Sequence, residues 1–160
     1  MDGANLIEGR KAFEDALRAA FAEAAAAGWR ELILCDPDFE HWPLGERAVV
    51  ESLTQWIGGN RHLTLIATHF DEVARRHSRW VRWRHQWAHL VSCRAVVEMS
   101  ADDVPVLLLA TGALTVQLDD RVRFLGRVSR DPAVALLARE KVDVILQRST
   151  EALPVTTLGL

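Results

Sequence analysis

Two aspartates one residue apart, Asp36 and Asp38, follow a short apolar run from Glu31 to Cys35, and Thr68 and His69 follow a second run from His62 to Ala67. Carboxylates at that spacing can hold magnesium through oxygen ligands, or share the work of nucleophile and acid. The plainer reading of Asp36-Pro37-Asp38 is a turn in which a side chain accepts hydrogen bonds from nearby backbone amides. His41 and His69 are weaker still as metal ligands, since no second His or Cys stands at ligand spacing and no H-E-x-x-H occurs. Metal-assisted phosphohydrolysis through Asp36, Asp38, Thr68 and magnesium is therefore the enzymatic alternative, and absence of catalysis the first expectation.

A different chemistry is offered between Arg75 and His89, where three of the six Trp and three of the six His lie among five Arg. On a helix Trp80, Trp83 and Trp87 fall at roughly 0°, 300° and 340°, with Arg75, Arg82, His85 and His89 opposite. The Trp stripe is expected to anchor the helix to a core. Arg75, Arg79, Arg82 and His89, with Arg76 and Arg84 at the aromatic border, are then the candidates for holding an anionic ligand, with solvated surface charge as the bland alternative. An Arg at the stripe edge can stack on Trp and still offer its planar fork to phosphate or carboxylate. Single-stranded nucleic acid is not favoured, because its recognition needs exposed aromatic faces.

These residues need elements to position them. Phe13, Leu17, Ala20, Phe21 and Ala24 recur at helical spacing and stop at Gly28, which predicts a helix from about Gly9 to Ala27. Glu31 to Cys35 and His62 to Ala67 read as buried strands, with a helix through Val49, Val50, Leu53, Trp56 and Ile57 between them. One helix is expected from about Phe70 to Leu90, then a strand near Cys93 to Met99. Alternation of helices with strands that lack polar residues predicts right-handed crossovers and a mainly parallel sheet, with helices on both faces. Val104 to Ala110, Ala113 to Leu118 and Arg121 to Leu125, divided by Thr111-Gly112 and Asp119-Asp120, predict an antiparallel C-terminal part. Asp131-Pro132 caps a last helix to about Arg148, with Val134, Leu137 and Ile145 expected to face inward.

A chain of 160 residues with 49% hydrophobic and 26% charged residues fits one soluble α/β domain. The expected divisions are an N-terminal helix in 1–28, a core in 29–150 and a tail in 151–160. Six Arg against Asp71 and Glu72 between Asp71 and Arg94 give that stretch a balance of +4 inside a chain of net charge -3. Such a local positive field suits anion contact and not a general nucleic-acid coat. Cys35 and Cys93 lie in apolar runs without C-x-x-C and read as reduced core thiols of a cytoplasmic protein. No basic start with an apolar segment and no run of membrane-spanning length occurs, so neither secretion nor membrane insertion is expected.

Leu32 to Asp38, Thr68 and Asp119-Asp120 weakly resemble the haloacid-dehalogenase-like phosphohydrolases, which use an aspartate pair, a threonine or serine, a lysine and late acidic residues. No Gly-Thr follows Phe39, and neither Lys11 nor Lys141 lies between Thr68 and Asp119, which leaves developing phosphate charge without its usual partner. The order of elements from Arg30 to about Arg148 resembles instead one half of a phospholipase D-like domain. In that family the strand after this series carries H-x-K-x-x-x-x-D. Here Val104, Val106 and Thr111 stand at its histidine, lysine and aspartate positions, and aliphatic side chains can neither attack phosphorus nor balance its charge. The wording of Asp36 to Gly45 and of the C-terminal residues also resembles a proteobacterial protein group that brings no known activity. The resemblance implies a bacterial, non-catalytic binding or assembly module with a degenerate active site. It further implies a homodimer, because such halves meet face to face, and an anionic ligand or a protein partner.

Overall fold

The structure, a computed structural model, describes residues 5–153. Its strands are β1 (Asn5–Glu8), β2 (Glu31–Cys35), β3 (His62–Ala67), β4 (Val91–Ala95), β5 (Val106–Ala110), β6 (Leu114–Asp120), β7 (Leu125–Ser129) and β8 (Thr150–Glu151). The helices are α1 (Arg10–Ala27), α2 (Arg47–Trp56), α3 (Asp71–Arg76), α4 (Ser78–Gln86) and α5 (Pro132–Gln147). All eight strands join one sheet in the order β1-β7-β6-β5-β2-β3-β4-β8. The chain is a single α/β domain. The expected tail continues into residues 154–160, which lie outside the described part.

The expectation of a mainly parallel sheet is corrected. Only β2–β3 and β3–β4 pair in parallel, and the other five pairings are antiparallel. The helical crossovers end at β4. The chain then passes to the far side of β2, where β5 runs against it with Leu34 opposite Leu108, and tight turns add β6 and β7 in alternating direction. Gly112 makes the first of these turns at φ 80°. Asp120 makes the second, its Oδ1 accepting from the amides of Val122 and Arg123 at 3.0 Å each. At the outer edge β1 pairs with β7; sequence periodicity missed it because Ile7 is the sole buried residue of its four.

Helices cover both faces, as expected. Phe13, Leu17, Ala20, Phe21 and Ala24 bury the inner side of α1, and with α2, α3 and α4 they pack on one face of the sheet around Leu34, Leu65, Val106 and Leu108. On the other face α5 packs Ala135, Ala138, Val142 and Ile145 onto Ile33, Cys35, Ile66, Leu107 and Leu109. The α5 stripe differs from expectation: Leu137 is 66% exposed, because Ala138 and Val142 set the rotation of the helix. Two-sided burial explains why β2 and β5 show no polar alternation. Cys35 and Cys93 are buried free thiols. Among the described residues no helix is long and apolar enough to cross a membrane.

The expected single helix from Phe70 to Leu90 is two helices. They break at His77, whose backbone leaves helical geometry (φ −120°, ψ 49°). Its buried ring donates from Nε2 to the carbonyl of Phe39 at 2.8 Å, a bond between residues far apart in sequence. Gly45 lets the loop approach this junction, since a Cβ there would lie 3.1 Å from the His77 Cα.

Two substitutions test this architecture. A Cβ on Gly126 would come within 2.0 Å of the Gln117 carbonyl oxygen and 2.7 Å of the Leu118 Cα, where a register shift between Leu118 and Asp120 interrupts the β6–β7 ladder. Backbone cannot yield that far, so Gly126→Ala is expected to cost on the order of 3 kcal/mol in urea unfolding; an unchanged midpoint would mean a different pairing. Trp83, 5% exposed beneath α4, is expected to cost about 3–5 kcal/mol on replacement by Ala, seen as a sharp fall in Tm.

Candidate functional site

Open α/β sheets place ligands beyond the carboxyl ends of their parallel strands. Beyond β2 lies a cavity of about 250 Å³ lined by Asp36, Asp38, Glu40, His41, Val106 and Arg121, among others. Its floor is apolar, from Phe13, Val106 and Leu118, and its walls carry charge of both signs. Phe124 closes one side, with the His41 ring edge-on to it at a centroid distance of 5.6 Å.

Asp36 is the best-organised polar residue of this region. Its Oδ2 accepts from the amides of Asp38 at 3.0 Å and Phe39 at 2.7 Å, and its Oδ1 accepts from the indole Nε1 of Trp42 at 3.0 Å. Burial pushes its carboxyl up to about 6, and these three donors only partly offset that rise. Asp38 is half-buried and accepts from the Glu40 amide at 3.0 Å. Thr68 spends its hydroxyl on the carbonyl of Pro37 at 2.8 Å and is not among the cavity residues. Asp36 and Asp38 thus accept from backbone amides of their own turn, and Thr68 ties a second loop to it. The donor set fits magnesium poorly, because the Asp36 oxygens already accept three N–H donors and keep little capacity for an ion. Among the described residues no group of three or more His, Cys, Asp or Glu could hold a metal.

Val104 and Val106, at the positions of the histidine and lysine of H-x-K, do not share a face. Val104 is 2% exposed among the α5-side residues, whereas Val106 is 5% exposed on the α1 side, because the chain at Pro105 is not yet part of β5. Thr111 follows the same strand at the opposite end from Val106. There its hydroxyl accepts from Arg139 at 3.3 Å.

The candidate anion-binding residues are divided by the fold. Arg75 and Arg76 both pair with Glu72, whose carboxyl they pull down to about 2, and Arg76 also reaches Glu40 at 3.1 Å. Arg79 donates to the Gly45 carbonyl and so braces the loop. Arg82 and His89 are exposed, the latter stacked beside Trp87. Arg84, at the aromatic border of the helical wheel, is 6% exposed and donates to the carbonyl of Leu153. Trp80 and Trp83 are buried and Trp87 half-buried, as the stripe predicts.

Sequence reasoning missed Arg121. It stands on the turn after Asp119-Asp120, lines the cavity, and fastens the Ala101–Asp103 segment through the Ala101 carbonyl at 2.8 Å and the Asp102 carboxylate. A lone Arg after a turn carries no sequence signal of that role.

No protein-family model matches the sequence, and no curated protein matches it. Solved structures do. TrmBL2, an archaeal chromatin protein whose structure shows a novel mode of DNA binding, superposes with a TM-score of 0.67 at 14% identity over 94% of this chain and 54% of that one. The chain therefore spans about half the length of that protein. NucT from Helicobacter pylori, of the phospholipase D family, superposes with a TM-score of 0.60 at 6% identity over 95% of this chain and 100% of that one. The chain shares its fold with these two structures.

The Asp36 carboxyl yields a signed test. A folded value near 6 against an unfolded 3.8 means that the native state holds the proton more tightly. Its contribution to stability is therefore lost as pH rises from about 4 to about 6 and is constant above that. Asp36→Asn turns an amide donor toward N–H groups and should cost about 1–3 kcal/mol at neutral pH. The stability difference between wild type and variant should shift against the wild type across that window in urea titrations. A shift in its favour would show that the three donors outweigh burial.

Proposed function

We propose that this chain is a phospholipase D-like module that binds and does not cut phosphodiesters. The observation that carries the reading is that the residues at the histidine and lysine positions of H-x-K, Val104 and Val106, are aliphatic and buried. A nucleophilic histidine and its lysine partner would have to reach one phosphorus together. No lysine lines the cavity beyond β2, and its Asp36 and Asp38 carboxylates accept from loop amides.

An anionic polymer is the partner to test first. The archaeal chromatin protein of this fold is described through DNA binding, and Arg82, His85 and His89 are exposed on or just after α4. The homodimer belongs to the same reading, as does a protein partner in place of the anion. Magnesium-assisted phosphohydrolysis through Asp36, Asp38 and Thr68 is the second reading. Calorimetric titration of magnesium into wild type and Asp38→Asn decides it, a signal lost in the variant being its support.

The binding reading predicts no turnover of a generic phosphodiester at any pH, and turnover abolished by a single substitution would overturn it. It predicts salt-dependent association with duplex DNA at low ionic strength, weakened by Arg75→Gln combined with Arg82→Gln. Both positions are exposed, so this pair should change stability by no more than about 0.5 kcal/mol at each site. If the wild type binds no DNA at low salt, the module is an assembly element, and sedimentation velocity should then show the dimer.

A further inference from the structure

Along the inner side of α4, four buried N–H donors have no hydrogen-bond acceptor among the described residues: Nε1 of Trp80, Trp83 and Trp87, and Nε of Arg84. Their spacing of three and four residues puts them on one helix face. Buried polar groups in folded proteins are nearly always satisfied, and each left unpaired costs about 1–3 kcal/mol. Arg84 is the extreme case. The residue is 6% exposed and carries a full charge, yet its guanidinium meets only the neutral carbonyl of Leu153 and forms no ion pair with a described residue. A buried cation without a counter-charge is strongly unfavourable.

Arg84 lines a cavity of about 220 Å³ at the β4 edge, together with Ala88, Val91, Ser92, Cys93, Arg94 and Glu151. This cavity shares no residue with the one beyond β2. It flanks the part of β4 that β8 leaves uncovered, since β8 pairs only with Arg94 and Ala95. Arg94 brings a second guanidinium, fixed by the Ser149 hydroxyl at 3.0 Å and the Ser149 carbonyl at 2.9 Å, again with no ion pair among the described residues. Ser92 is oriented by the His62 ring at 2.9 Å. Against these two cations stands the single carboxylate of Glu151. Cys93 does not supply the missing charge, because burial pushes its thiol up to about 11 despite the neighbouring Arg84.

We infer that this cavity is an oxyanion site, in which Arg84 and Arg94, with the Ser92 hydroxyl, hold a phosphate group. The size suits inorganic phosphate or the head of a phosphomonoester. A fork of fixed guanidinium donors also matches phosphate oxygens better than it matches a spherical anion. The site is independent of the proposed binding function, since it uses neither the exposed arginines of α3 and α4 nor the cavity beyond β2.

Inorganic phosphate titrated into the full chain at constant ionic strength tests it, followed by calorimetry and by Trp fluorescence, which the indoles of α4 should report. Saturable binding is expected, with sodium chloride at the same ionic strength silent. Adenosine monophosphate and acetate in parallel titrations separate a phosphomonoester head and a carboxylate from the free ion. Arg94→Gln should weaken phosphate binding by about tenfold or more. Arg84→Gln should do the same, and if that variant does not fold, Arg94→Gln and Ser92→Ala carry the test. Arg75→Gln with Arg82→Gln should leave phosphate binding unchanged even where it weakens DNA binding, so the two proposals fail separately. No saturable phosphate signal in the wild type, or full binding retained in Arg94→Gln, overturns the inference.

Discussion

At the end of β2 the chain leaves a sheet that is apolar on both faces and must reach α2 through a loop of fixed shape. The Asp36 carboxylate fixes it. By accepting from Asp38, Phe39 and Trp42 it satisfies three donors that would otherwise be buried without partners. Phe39 is fully buried at φ 61°, a left-handed conformation that costs a side chain about 1–2 kcal/mol. It stays there because it is held at both ends, its amide by Asp36 and its carbonyl by His77. The ring of Phe39 then packs against Trp42 and Phe70, with centroids at 5.0 and 6.4 Å. His77 in turn is the residue at which α3 stops and α4 begins. The loop beyond β2 and the direction of both arginine-bearing helices therefore depend on one buried carboxylate.

This arrangement bears on the proposed lack of phosphodiester chemistry in the cavity beyond β2. Its acidic residues are committed to neighbours: Asp36 and Asp38 to backbone amides, Glu40 to Arg76. The strand that would supply a nucleophile is committed as well, with Val104 in one apolar layer and Val106 in the other. Placing histidine at 104 and lysine at 106 would bury two polar groups where the chain now buries two aliphatic ones. The loss of core packing would add to the cost of burying them.

Much of the framework was legible in the sequence because it rests on local periodicity. The buried stripe of α1 and the runs of β2 and β3 follow from spacing alone. What escaped reading depends on partners distant along the chain. The sheet's direction turned on β5 entering beside β2, which a strand's own residues do not encode when both its faces are apolar. The break at His77 required the Phe39 carbonyl, and the pairing of Arg76 required Glu40 as well as Glu72. In the candidate site the helical wheel was closer to the truth than its interpretation. It put Arg84 about 40° from Trp80, a position that already implies burial, and charge alone kept that residue grouped with the exposed arginines.

The chemistry of the α4 stripe is distinct from its role as an anchor. Phenylalanine or leucine at 80, 83 and 87 would cover the sheet comparably and bring no donor into the core, and methionine at 84 would fill much of the arginine's volume without a charge. Tryptophan and arginine at these positions instead carry four N–H groups inward, each costly unless it finds an acceptor. Packing therefore accounts for the size of these side chains and leaves their polarity unexplained. Of these four donors only that of Arg84 belongs to a side chain lining the cavity at the β4 edge, where Arg94 also stands, and the proposed oxyanion would supply the counter-charge that both guanidiniums lack.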